Sequence, residues 1–170
     1  MSLKIKKILI LFILFLIPNV VFGNESLKSI GKFKDWETFT MTENENKVCF
    51  AQSIPILQAP KKTEREARLF VTFRSVDKIQ DEVSVTAGYV FNDKNKVTAK
   101  SGNTVLIFST VQENFAWFKE NKTEKKLIKV LKKGSRLMVA GYNIQGSQTI
   151  DHYSLLGFRK AYSAAKKSCS

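Results

Sequence analysis

The chain has 170 residues and carries 28 lysines and arginines against 15 aspartates and glutamates, a formal net charge of +13. That length suits one domain with a real core and excludes two comfortable ones. The charge bears on solubility and partners rather than on fold: it either draws polyanions or is spread over solvated faces with no target.

Along the chain, Lys4, Lys6 and Lys7 precede an unbroken apolar run from Ile8 to Ile17, which Pro18 and Asn19 end. Val21-Phe22-Gly23 then sets small or β-branched residues where a signal peptidase reads. The pattern predicts a secretory signal peptide over 1–23, cleaved after Gly23, and a periplasmic or secreted protein. A membrane-spanning helix needs about 20 apolar residues, so an uncleaved anchor is the weaker alternative. No cysteine follows the cleavage site to take a lipid. Loss of three lysines lowers the formal charge from +13 to +10.

The remainder, 24–170, reads as a single mainly β domain, an antiparallel sandwich or barrel-like fold. Trp36-Glu37-Thr38-Phe39-Thr40-Met41 alternates bulky and polar residues with period two, as a half-buried strand does. Val48 to Ala51 follows after a polar turn, then the β-branched and aromatic run Leu69 to Arg74, then the alternation Glu82 to Tyr89. Between them, Pro55 and Pro60 bracket a stretch continuing through Lys61-Lys62-Thr63-Glu64-Arg65-Glu66 that reads as a long polar loop. Asn92 to Lys96 is a turn, and Thr104–Phe108, Phe115–Phe118 and Arg136–Tyr142 complete the strands. Short strands with turns every ten or so residues argue for a sandwich or barrel.

Two peripheral helices interrupt this pattern, at about 123–133 and 154–168. Thr123 is placed to cap the first, with Leu127, Ile128 and Leu131 on one face and Gly134 past its end. In the second, Phe158, Tyr162, Ala165 and Cys169 form one stripe. Ser154 would be its N-cap. That stripe carries Cys169 towards the core, where Cys49 could meet it. An even cysteine count in an oxidising compartment also favours one Cys49–Cys169 bridge; loop-closure entropy alone sets an upper value of roughly 4–5 kcal/mol for a loop of about 120 residues. Two free thiols, or pairing with another chain, are the alternatives.

The C-terminal stretch from Gly146 to Phe158, GSQTIDHYSLLGF, resembles the signature of the invasion-associated locus B family of alphaproteobacterial exported proteins. That family shows a small-residue turn, a threonine, an aspartate, then Tyr-Ser-Leu and a Gly-Phe opening the last helix. Gly146, Thr149, Asp151, Tyr153, Ser154, Leu155, Gly157 and Phe158 carry the likeness. Asp35-Trp36, Cys49-Phe50-Ala51, Glu82 to Val85, Gly88-Tyr89, Ala116-Trp117 and the terminal Cys169 fit in the same order. His152 departs from the pattern, standing where a second threonine is expected. The resemblance implies an exported β-sandwich-like domain named for host-cell invasion, and brings no catalytic residues.

Asp151, His152 and Ser154 invite a hydrolase reading, but neighbours on a strand face opposite sides, so His152 points away from Asp151. One histidine and no cysteine cluster give no metal geometry, and neither phosphate loop nor cofactor motif is present. Asp151 is most simply a turn or capping group. Trp36, Trp117 and the phenylalanines read as core, with an aromatic ligand shelf as the alternative.

The sequence therefore favours a non-enzymatic exported accessory protein that presents a surface to an envelope or host component. The alternative is a periplasmic small-ligand-binding module with a pocket between the sheets, lined by Trp117, Tyr142 and Tyr153. The candidate partner is an anionic lipid or polysaccharide surface; nucleic acid is not favoured. The candidate patch combines Lys125, Lys126, Lys129, Lys132 and Lys133 of the first helix with Arg159, Lys160, Lys166 and Lys167 of the second.

Overall fold

The computed structural model describes residues 27–61, 65–76 and 79–170; the expected signal peptide lies outside them. The strands are β1 (Lys28–Phe33), β2 (Trp36–Glu43), β3 (Asn46–Ser53), β4 (Leu57–Ala59), β5 (Arg68–Arg74) and β6 (Ile79–Thr86). They continue with β7 (Thr98–Ser101), β8 (Thr104–Ile107), β9 (Thr110–Gln112), β10 (Phe115–Trp117), β11 (Arg136–Tyr142) and β12 (Gln148–Ser154). The helices are α1 (Asn121–Lys133) and α2 (Phe158–Ser168). Every pairing is antiparallel, in a seven-stranded sheet β1-β2-β3-β5-β6-β10-β9 and a five-stranded sheet β4-β12-β11-β7-β8. The sequence admitted a sandwich or a barrel; two separate sheets make it a sandwich.

Period-two alternation decides which side chains meet between the layers. Trp36 and Thr38 of β2, Cys49 and Ala51 of β3, Leu69 and Val71 of β5, and Val83 and Val85 of β6 are buried on one side of the large sheet. Leu137 and Val139 of β11 and Tyr153 of β12 are buried in the other sheet. Helix α2 packs on β2 and β3. There the Trp36 and Phe158 rings meet edge to face at 4.8 Å, and the Thr38 hydroxyl donates to the Ala161 carbonyl at 3.1 Å. Cys169 at the end of α2 is disulfide-bonded to Cys49 of β3, with a Cα–Cα distance of 5.8 Å.

Three expectations require correction. The stretch bracketed by Pro55 and Pro60 is not all loop: β4 lies within it and pairs Leu57, Gln58 and Ala59 with His152, Asp151 and Ile150 of β12. A three-residue edge strand between prolines leaves no periodic signal. Helix α2 begins at Phe158, not Ser154. Ser154 ends β12, and its hydroxyl accepts the Leu156 N–H at 3.2 Å. Helix α1 begins two residues before Thr123, whose N–H donates to the Glu120 carbonyl at 2.9 Å inside the first turn.

Candidate functional site

Each helix buries one face and so turns its cations outward. In α1, Leu127, Ile128 and Leu131 are buried while Lys125, Lys126, Lys129 and Lys133 are exposed. In α2, Phe158, Ala161, Tyr162 and Ala165 are buried while Arg159, Lys160, Lys166 and Lys167 are exposed. The end of α1 meets the start of α2. Arg159 Nε donates to the Lys132 carbonyl at 2.5 Å, satisfying one of the acceptors a helix leaves open at its C-terminus. The Lys132 ammonium lies 3.8 Å from the centre of the Tyr162 ring, a close cation–π contact.

This junction forms one wall of an open groove of about 700 Å³. Three segments distant in sequence build it: the β1–β2 turn, the end of α1 with Gly134-Ser135, and the turn from β12 into α2. They contribute Lys32, Lys34, Lys132, Arg159 and Lys160, with no carboxylate among the lining residues. Gly134 and Ser135 are shared with a neighbouring hollow of about 720 Å³ lined by Lys126, Lys129, Lys133 and Arg136. The exposed faces of the two helices therefore adjoin. Not every expected cation joins them. Lys125 lines a separate hollow with the start of α1. Lys166 borders a cleft beside Cys169 and Ser75, and Lys167 lines neither part of the groove. Lys32, Lys34 and Arg136 belong to the basic surface although their sequence neighbourhoods gave no sign of it.

The turn at the groove is held from several sides. The Leu155 N–H donates to the Ser135 carbonyl at 3.0 Å, and the Asp35 N–H donates to the Leu156 carbonyl at 3.3 Å. Gly157 has φ of 96° and lies so close to β1 that a Cβ there would stand 1.8 Å from the Phe33 carbonyl oxygen. Only glycine satisfies both demands. Leu155 is buried, whereas Leu156 is 61% exposed and faces the groove.

The first half of the same signature does something else. Thr149, Asp151 and Tyr153 alternate along β12 and all point inward. Asp151 is not a turn or capping group. Its two carboxylate oxygens accept Arg65 Nη2 at 2.5 Å and Nη1 at 3.1 Å, and Gln58 Nε2 donates to it at 3.3 Å. The side chains of Arg65 and Asp151 are 7% and 2% exposed. Arg65 Nη1 also donates to the Ala87 carbonyl at 2.7 Å, and the guanidinium lies 5.6 Å from the Tyr89 ring centre. Gly88, at φ of 76°, permits this approach, since a Cβ there would come within 2.7 Å of the Glu66 nitrogen. The Tyr89 and Thr149 hydroxyls bond at 2.6 Å. Burial, with the Asp151 carboxylate nearby, pushes the Tyr153 hydroxyl well above its ordinary pKa. Arg65 falls in the supposed polar loop, so sequence reasoning missed the partner of Asp151; an arginine among lysines was the only hint.

His152 is half-buried on the opposite side of β12 from Asp151, as strand alternation requires. The Ser154 hydroxyl is engaged by Leu156. Asp151, His152 and Ser154 thus form no relay. Trp117, Tyr142 and Tyr153 do not converge either. Tyr153 is buried in the core, and the Tyr142 hydroxyl accepts from the exposed Gln148 at 2.9 Å. Trp117 is half-buried on the outer side of the seven-stranded sheet.

Phe73, Phe91, Phe108, Phe118 and Phe158 are buried in the core as expected, but that outer side corrects the assignment for four others. Phe39, Phe50, Phe70 and Phe115 form a row across β2, β3, β5 and β10 with centroid separations of 5.4, 5.9 and 6.4 Å. Phe115 is 40% exposed at its end.

Residues 36–166 match the family model described as Invasion associated locus B (IalB) protein. Among solved structures, the crystal structure of invasion associated protein b from Bartonella henselae is similar, with a TM-score of 0.56 at 15% identity, covering 83% of this chain and 98% of that chain. Identity that low speaks for the fold alone. No curated protein matches the sequence.

Proposed function

We propose, on the premise that this chain belongs to the invasion associated locus B family, that it is an exported, non-enzymatic accessory protein. In this reading residues 1–23 direct export and are removed, leaving one domain over 24–170. The domain then docks an anionic surface of the envelope or of a host cell through the groove between α1 and α2. A single observation carries the reading: cations from three distant segments converge on one groove whose lining holds no carboxylate. Lysines scattered by composition alone would be interleaved with acids over the surface. Among the described residues, no helix is long and apolar enough to cross a membrane, so in this reading contact with an envelope is made by a surface.

The test is binding of the exported protein to heparin and to anionic vesicles. Exposed charges are screened beyond about 10 Å at 0.1 M salt and beyond about 3 Å at 1 M. Affinity is expected to fall steeply across that range. Arg159→Glu combined with Lys160→Glu should weaken it by at least about tenfold at low salt, at roughly 1 kcal/mol per basic residue near an anionic surface. Reversal of Lys166 and Lys167, which line neither part of the groove, should cost much less. Equal losses from the two pairs would mean that net charge, not the groove, attracts the partner.

A further inference from the structure

We infer that the groove takes a phosphorylated lipid headgroup at a bilayer surface, with Leu156 entering the acyl region beneath it. The inference rests on the basic-groove reading above and narrows its ligand from any polyanion to an anionic amphiphile.

Leu156 is the observation that separates the two. A lone exposed leucine is ordinary on a protein surface, but this one is 61% exposed within a groove ringed by Lys32, Lys34, Lys132, Arg159 and Lys160. Its exposure is also fixed rather than incidental. Its N–H is tied to Ser154, its carbonyl to Asp35, and the next residue is wedged against Phe33. The backbone thus holds an apolar side chain out towards solvent in a groove where five cations converge. A sulfated or phosphorylated polysaccharide would satisfy the cations and leave Leu156 in water. A bilayer surface satisfies both, because phosphates lie directly above apolar chains and interfacial binding scales with buried apolar area plus electrostatic attraction to anionic lipids. The lysines reach phosphates while their alkyl stems lie along the apolar layer. Arg159, its Nε engaged by the Lys132 carbonyl, keeps its Nη pair for a phosphate.

The experiment compares the exported protein with Leu156→Ser on three probes. These are heparin, phosphatidylcholine vesicles, and the same vesicles containing phosphatidylglycerol, each at about 0.1 M and 1 M salt. The inference expects binding to the anionic vesicles that persists in part at high salt. Leu156→Ser should lower it about tenfold or more, the scale set by burying one leucine, and leave heparin binding within about twofold. An unchanged circular dichroism spectrum and melting temperature show that the variant is folded. Vesicle and heparin binding that are equally salt-sensitive and indifferent to Leu156→Ser would overturn the inference while leaving the basic-groove reading in place. No binding to heparin or vesicles at low salt would overturn both.

Discussion

The stretch from Gly146 to Phe158 divides at Ser154 into halves that work in opposite media. Before it, Thr149, Asp151 and Tyr153 face the interior, and Asp151 is clamped by Arg65. After it, Leu156 and Gly157 lie at the surface beside five cations. The charges differ in kind. Buried Arg65 and Asp151 are matched to each other, so the pair closes on itself and fixes β4, β12 and the Ala87-Gly88 turn relative to one another. The cations of the groove have no lining carboxylate to match them. A motif legible as one string is thus two devices, one that locks the fold and one that offers a surface, and substitutions in the two halves should fail differently.

The largest effect that tests this division comes from Asp151→Ala. It leaves the Arg65 guanidinium buried without its partner, which costs about 3–5 kcal/mol. Replacing both together, Arg65→Met with Asp151→Leu, should recover much of that loss, because an apolar pair carries no desolvation penalty. Denaturant unfolding measures both. The recovered double variant should bind heparin with the salt dependence of the natural chain. If Asp151→Ala unfolds at an unchanged midpoint, the interior half is not a lock.

How much of this could be read beforehand follows from what sequence periodicity encodes. The runs at Trp36, Leu69, Glu82 and Arg136 showed β2, β5, β6 and β11 because one face of each meets the core. The Phe158-Tyr162-Ala165-Cys169 stripe pointed at the disulfide because helical spacing puts those residues on one side. β4 has three residues and β9 has three, too short for alternation to register. The Arg65–Asp151 pair joins positions 86 residues apart, and nothing local distinguishes an arginine that will be buried from one that will be solvated. The lysines of the groove were visible as a surplus, but not the adjacency of Lys32 and Lys34 to the helix junction, which depends on Gly157 fitting against β1. The row of phenylalanines was misassigned for the opposite reason: alternation shows that two faces differ, not which of them is covered.

The disulfide sharpens the comparison at intermediate size. It ties the far end of α2 to β3, while the groove lies at that helix's start. Reduction, or Cys169→Ala, should lower stability by about 2–4 kcal/mol. Below the unfolding transition, the salt-sensitive binding should survive, since Phe158 remains packed on Trp36 at the groove end. Binding lost in parallel with the thiols, in protein still folded by circular dichroism, would show that the two ends of α2 are not independent.

The smallest predicted effect concerns a charge in α1 that belongs to the interior although its helix carries half of the groove. Glu124 is 5% exposed, and its carboxylate accepts the Val83 N–H at 3.1 Å and Asn121 Nδ2 at 3.3 Å. Burial, reinforced by the nearby Glu82 and Asp81 and only partly offset by those hydrogen bonds, raises its pKa to about 7 from an ordinary 4.5. Between these values the folded state holds a proton that the unfolded state has released. Stability from this group therefore falls as pH rises from about 4.5 through about 7 and is level beyond. At 1.36 kcal/mol per pKa unit, the loss between pH 5 and pH 7 is on the order of 2–3 kcal/mol. Glu124→Gln keeps an acceptor for Val83 and removes the ionisation, so its stability minus that of the natural chain should grow across the same window. Heparin binding should not follow this titration, because Glu124 is turned towards β6 and away from the groove. A flat difference between the two proteins from pH 5 to pH 8 would mean that Glu124 stays ionised in the fold. A binding curve that tracked Glu124 would mean that the interior and the groove are coupled through α1, and the division at Ser154 would then describe the motif but not the molecule.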